Sequence, residues 1–171
     1  MIKVEKIMEG VDRKNPPALT LAKRPGTISS AALRRVVDEN LSGIPDEKRQ
    51  VVLGLLYLWH DHGKEAHEAT EKYEGTSDSD YLHSLFHRRE GDYSNSEYWL
   101  NEAGEHPMYG ILGPKTEALL SADEKLKAKV LPQGRWDAKG FVRAVKAQPD
   151  SALLRAVQAE EFIAYLEWLT G

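Results

Sequence analysis

An all-α fold, a single-domain bundle of seven or eight helices, is what this sequence predicts, on three observations. No stretch alternates apolar and polar residues with period two over five or more positions, so no convincing strand can be traced. Apolar residues recur instead at helical spacings, in segments punctuated by proline and glycine. Finally, 171 residues with 41% hydrophobic and 29% charged content suit one ordinary globular domain able to bury a real core.

Residues 1–28 read as an irregular arm lying on the body, because Asn15-Pro16-Pro17 and Arg24-Pro25-Gly26 break any periodicity. Residues 29–171 then form the single helical domain. Ser29 or Ser30 caps a first helix through Asn40, and Leu41-Ser42-Gly43 ends it. Pro45 suits the start of the next helix, Asp46 and Glu47 suit its positive end, and it runs to about Asp61. Its stretch Val51–Trp59 is apolar all round, which predicts a central helix and the most buried segment of the chain. Beyond Gly63 a shorter helix covers Lys64–Tyr73, and Glu74–Ser79 is a loop from which Asp78 or Ser79 caps a helix through Arg89. Gly91-Asp92 turns the chain into a helix near Ser94–Ala103. His106-Pro107 and Gly113-Pro114 bracket a poorly periodic connection. Helices follow at Lys115–Val130, at Trp136–Ala147 and from an Asp150 cap to residue 171.

A shift of 30 residues aligns Val52, Leu55, Leu56 and Ala66 with Leu82, Leu85, Phe86 and Ser96. In both copies a small residue follows the turn, as tetratricopeptide-like helical hairpins require. Chance similarity between two amphipathic helices accounts for the match equally well, and two copies are too few for a binding solenoid.

Composition narrows the function classes. A net charge of −4 argues against bulk nucleic-acid binding, which relies on clustered Lys and Arg. The chain has no cysteine, so disulfides and thiolate metal sites are excluded. The first residues, MIKVEKIMEGVDRK, carry charges every few positions and lack the apolar core of a secretory signal. The apolar run Val51–Trp59 is far shorter than the ~20 residues that span a bilayer, so no membrane association and a cytoplasmic location are expected.

Chemistry concentrates in one place. All six histidines, His60, His62, His67, His83, His87 and His106, lie in one short stretch. Histidine both titrates near neutral pH and ligates metals as neutral imidazole. On a helix from Ser79, His83, His87 and Glu90 form a stripe at i, i+4 and i+7 beside Phe86, at the rim of the apolar arc of Tyr81, Leu82, Leu85 and Phe86. Two histidines four apart is the spacing of zinc helices, although His-Ser-Leu-Phe-His lacks the internal Glu of the metalloprotease motif. The other reading is a polar layer in which imidazoles donate to carboxylates or carbonyls. His67, between Ala66 and Ala69, can face the same space as His83. His60 and His62 suit helix capping and His106 a turn. Arg88-Arg89 reads as a solvated pair, with Arg88 beside Tyr81 and able to bind a carboxylate. Trp59, Trp99, Trp136 and Trp168 read as core anchors. On the last helix Glu161 falls inside the arc of Leu154, Val157, Tyr165 and Trp168, which predicts a buried carboxylate held by Arg88 or by a histidine.

The segment WHDHGKEAHE, with YLHSLFHRREGDYSNSEYWLNEAGEHP after it, resembles a family of small uncharacterised helical proteins of bacteria and fungi. Its pattern is Trp-x-Asp…Ala-His, then His-Arg-x-Glu-x-Asp…Asn-x-x-Tyr-Trp ending in His-Pro. Here the matching positions are Trp59, Asp61, His67, His83, His87, Arg88, Glu90, Asp92, Asn95, Tyr98, Trp99, His106 and Pro107. The pieces WDAKGFVRAV and LLRAVQAEEFIAYLEWL resemble the family's final helices, with Gln158 and Glu161 at matching places. The resemblance covers about residues 50–170; Ser96 departs from it, standing where alanine is expected. It implies the helical fold and a site around Trp59, His67, His83, His87, Arg88, Glu90, Asn95, Trp99 and Glu161, and no particular reaction.

Two functions are therefore expected in competition. One is a non-catalytic binding or interaction module whose histidine–carboxylate cluster holds helices together or receives a small-molecule or protein ligand. The other is a metal-dependent, hydrolytic enzyme with a divalent ion on His67, His83, His87 and Glu161 and a water as nucleophile.

Overall fold

The computed structural model describes residues 4–171, so the first three residues of the expected arm lie outside the described residues. The molecule is all-helical: ten α-helices and one 3-10 turn at Pro132–Gly134, with no strand among the described residues. In order they are α1 (Val4–Met8), α2 (Ser30–Asn40), α3 (Asp46–Trp59), α4 (Gly63–Glu71), α5 (Ser77–Glu90), α6 (Tyr93–Ala103), α7 (Tyr109–Leu120), α8 (Glu124–Val130), α9 (Ala138–Ala147) and α10 (Ala152–Thr170).

Two differences raise the count above the expected seven or eight. The short α1 lies within the segment expected to be irregular. The single helix expected at Lys115–Val130 is two, because α7 begins earlier and runs through Pro114, and the chain breaks at Ser121–Asp123 before Asp123 caps α8. Pro114, expected at the edge of a connection, lies inside α7. It is tolerated one turn into α7, where it leaves only the carbonyl one turn earlier without its amide partner. Several caps also shift. Thr76 rather than Asp78 or Ser79 caps α5, its hydroxyl accepting the Ser79 amide, and Ser151 rather than Asp150 caps α10. Ser29 and Asp92 accept the caps of α2 and α6.

Helix α3 is the centre of the bundle. Every residue from Val51 to Asp61 is buried, and α2, α4, α5 and α10 all pack on it. A β-carbon at Gly54 would lie 2.4 Å from Leu82 Cδ2, so glycine is what lets α3 and α5 cross this closely. The α5–α6 pair is equally tight: Ser96 Oγ donates to the Ser84 carbonyl at 2.9 Å, and the two hydroxyls lie 2.9 Å apart. Gly91, at φ 88°, reverses the chain between these helices in a conformation that strains any residue with a β-carbon.

The N-terminal segment is fastened to the body by side chains of the body. Ile7 and Leu19 join the core. Arg89 donates to the carbonyls of Ala18 at 3.1 Å and Thr20 at 2.8 Å, and Gln158 donates to Ala18 at 3.1 Å. His60 accepts from the Ile28 amide at 3.2 Å through Nδ1, so its Nε2 carries hydrogen and donates to the Gly10 carbonyl at 2.8 Å. His62 Nε2 bonds the Ile28 carbonyl at 2.7 Å. No helix among the described residues is long and apolar enough to cross a membrane.

Candidate metal centre

Three histidines meet where α4 lies against α5. His83 and His87 stand one turn apart on α5 with rings stacked, centroids 4.8 Å apart and planes 19° apart. His67 comes from α4, its ring 4.9 Å from that of His83 and 5.8 Å from that of His87. One nitrogen from each residue can be chosen so that all three lie within 4.8 Å of one another.

His83 is the unusual member. It is 4% exposed, and neither ring nitrogen has a hydrogen-bond partner. A buried imidazole with no partner is costly, since it has given up water at both nitrogens for nothing in return. Burial, reinforced by His87 and His67, pulls its pKa down to about 3, so it is neutral with a free lone pair at physiological pH. Trp99 of α6 covers its other face, with centroids 3.9 Å apart.

His87 is held by two partners. Its Nδ1 lies 2.7 Å from Glu90 Oε2, and the Asn95 side-chain amide lies 3.1 Å from Nε2. Burial lowers its pKa, with Glu90 opposing. A neutral ring donates from Nδ1 to Glu90, while the Asn95 amide, 3.1 Å from Nε2 and 3.4 Å from Nδ1, lies across the ring and not along the Nε2 lone pair. Helix α6 thus sets Asn95 and Trp99, four apart, against His87 and His83, four apart on α5. His67 and His87 line an open cleft edged by Lys64, Glu68, Glu71, Phe86 and Glu90, through which the partly exposed His67 reaches solvent, whereas His83 is buried and not part of its lining.

The remaining expected residues are placed elsewhere. Glu161 does not join the histidines, which corrects its assignment as a metal ligand. Tyr81 donates to its Oε1 at 2.6 Å and Arg88 Nη2 to its Oε2 at 2.5 Å, all of them buried, so its lone pairs are engaged. Arg88 is therefore a core residue, lying over the Phe141 ring at 4.6 Å and also reaching Gln158. Trp59 is buried against Phe162. His106 is buried, with Nε2 2.7 Å from Asp78 Oδ1 and Nδ1 accepting the Met108 amide, so both nitrogens are used.

A second buried ion cluster escaped the sequence reading. Asp61, at φ 64°, receives Arg89 at 2.9 Å and Arg24 at 2.8 Å. Burial opposes the Asp61 charge, yet the two guanidiniums hold its pKa below the ordinary carboxylate value, while burial takes Arg89 down to about 10. A signal for Arg89 did exist: it follows Leu85 by four residues and Leu82 by seven, on the face of α5 that packs inward.

The chain matches no family model, no curated protein and no solved structure.

Proposed function

We propose that this protein is a helical metal-binding module, with one divalent transition-metal ion held by His67, His83 and His87. The observation that carries the reading is His83: a buried imidazole whose two nitrogens have no partner, turned among two further imidazoles. An ion supplies the partner that the protein leaves out. The donor set selects its class, because imidazole suits zinc, copper, nickel and iron, whereas magnesium and calcium take oxygen. Glu90 on His87 Nδ1 is the carboxylate–histidine support that orients metal-binding imidazoles. A tetrahedral zinc with bonds near 2.0–2.1 Å sets its nitrogens about 3.4 Å apart, closer than the 4.8 Å span here. His67, the least buried of the three, is the ring with freedom to close that gap. In this reading the α3–α4 and α5–α6 hairpins are tetratricopeptide-like units, and the ion ties α4 to α5.

A second reading, metal-dependent hydrolysis, is favoured by the open cleft. Three protein ligands leave a coordination position for water, and a bound ion acidifies that water into a nucleophile. Glu68, Glu71 and Glu90 edge the same cleft and can accept its proton.

Metal analysis of protein purified without a histidine tag, followed by zinc calorimetry, tests the binding. One zinc per chain is expected, lost in His83→Phe, whose ring keeps the stack on Trp99 but offers no lone pair. No stoichiometric zinc, or equal binding by His83→Phe, overturns it.

A further inference from the structure

We infer that His60 and His62 form a clamp on the Ile28 peptide, and that a second proton on His60 opens one jaw and frees the entry to α2. The inference stands apart from the metal reading. Ile28 immediately precedes Ser29, the cap of α2, and its own side chain is exposed, so its peptide contacts do most to tie it to the turn after α3. Its amide donates to His60 Nδ1 at 3.2 Å, and its carbonyl lies 2.7 Å from His62 Nε2. An amide N–H can only donate, so His60 Nδ1 is bare and Nε2 carries the hydrogen given to the Gly10 carbonyl at 2.8 Å. Only a neutral imidazole in this one tautomer satisfies both contacts. A second proton leaves the Gly10 bond intact but sets N–H against N–H at Ile28. His62 donates to the Ile28 carbonyl whether neutral or charged. Of the three bonds, only the one from the Ile28 amide is lost.

Charged and titratable neighbours reach His60 from each side. Glu9, Asp12 and Arg24 of the N-terminal segment line a cavity of about 180 Å³ together with it, Asp61 and His62 adjoin it in the turn, and Arg89 of α5 holds Asp61. Burial above all, with Arg24 and His62, lowers the His60 pKa from its ordinary 6.5, against the pull of the Gly10 bond and Asp61. The clamp is therefore closed at neutral pH. Its contribution is complete above about pH 6.5 and is lost as pH falls through the native value, because the opened ring takes the proton more readily. The cavity beside the ring is polar and wide enough for water to solvate the freed groups. The other ties of the segment do not titrate in this range. Arg24 and Arg89 hold Asp61, whose pKa lies below its ordinary carboxylate value, and the Leu21 amide donates to the Arg89 carbonyl at 3.0 Å. Opening is thus confined to the stretch from Pro25 to Ser29.

The experiment is amide hydrogen exchange by NMR on the full chain from pH 7.5 to pH 5, corrected for the intrinsic effect of pH, in wild type and His60→Asn. Imidazole nitrogen spectra of wild type over the same range accompany it. In wild type the protection of the Ile28 amide should fall by up to about tenfold per pH unit below 6.5, while that of the Leu21 amide stays level. In His60→Asn the side-chain oxygen takes the place of Nδ1 and does not titrate, so Ile28 protection should no longer depend on pH. The nitrogen spectra keep the test independent of that variant's folding. They should show His60 Nδ1 without hydrogen at pH 7.5 and gaining it in step with the loss at Ile28. Level Ile28 protection in wild type overturns the clamp, as does protonation of Nδ1 with Ile28 still protected. A parallel loss at Leu21 overturns the local opening, and an equal fall in His60→Asn overturns the role of His60.

Discussion

His83 and Trp99 stack face to face, ring centroids 3.9 Å apart and planes inclined by 19°. The stack pins the one imidazole that has no hydrogen bond, and it places an optical reporter against the proposed metal. Nickel or copper on His83 should quench the emission of Trp99, because a paramagnetic ion within a few ångströms of an excited indole drains it. Trp59, Trp136 and Trp168 are not part of this stack. The expected result is partial, saturable quenching that Trp99→Phe abolishes. Quenching that persists undiminished in Trp99→Phe would place the ion elsewhere.

Metal-free protein should lose stability as acid is added below about pH 6.5. Native His83 titrates at about 3 against an ordinary value of 6.5, and burial also lowers His87 and His60. Between those values the unfolded chain binds protons that the native state refuses, so unfolding is favoured as pH falls. The stabilisation is complete above the unfolded value and is spent by the time the native value is reached. Each refused proton contributes a slope of about 1.4 kcal/mol per pH unit. Thermal midpoints measured from pH 7.5 to pH 5 should therefore decline, less steeply in His83→Phe; a flat series contradicts a buried cluster.

Much of the fold was legible because local rules and tertiary packing agree. The all-round apolar stretch Val51–Trp59 is buried throughout, and Ser29 and Asp92 do what short polar residues do before a helix. The sequence misled where one rule was applied alone. Gly113-Pro114 reads as the edge of a connection, although a proline near the start of a helix loses few bonds. Arg88 and Arg89 looked solvated because arginine usually is, yet their positions relative to Tyr81, Leu82 and Leu85 put both on inward faces of α5. For the site, the spacing of His83 and His87 was visible, and so was the inward arc of Glu161. Invisible was which way each partner turns: Arg88 takes Glu161 away from the histidines, and Asn95 meets His87 across a helix pair no single-helix projection contains.

Leu55→Ala should cost roughly 2–5 kcal/mol, since Leu55 is 1% exposed in the central helix and neighbouring side chains can fill the void only in part. Denaturant unfolding at neutral pH measures it. A loss below about 1 kcal/mol would mean that α3 is not the centre of the core.

The Arg88–Glu161 pair yields a sharper contrast. Glu161→Ala should destabilise by about 3–5 kcal/mol, because it strands a buried guanidinium and deprives the Tyr81 hydroxyl of its acceptor. Replacing both charges, Arg88→Met with Glu161→Leu, should recover the part of that loss due to the stranded guanidinium, as apolar residues of similar volume do in place of buried ion pairs, while the Tyr81 hydroxyl still lacks its acceptor. If zinc binding survives in the double variant, Glu161 is structural; if it is lost while the fold persists, Glu161 acts on the histidine site after all.

The Asp61 cluster should govern how firmly the N-terminal segment is held. Arg24 reaches Asp61 from the segment and Arg89 reaches it from α5, while Arg89 also grips the carbonyls of Ala18 and Thr20. One carboxylate thus compensates two cations, one of them fully buried. Asp61→Asn keeps the shape and suits the positive φ of this position, so it removes the charge and little else. Global stability should drop by about 3–5 kcal/mol, with the loss concentrated at the contact between the segment and the body. Limited trypsin digestion at neutral pH reads this directly: cleavage after Lys23 should be much faster in Asp61→Asn, and faster than cleavage within α3 or α10. Equal cleavage rates in the two proteins would show that the carbonyl contacts of Arg89, Arg155 and Gln158 hold the segment unaided.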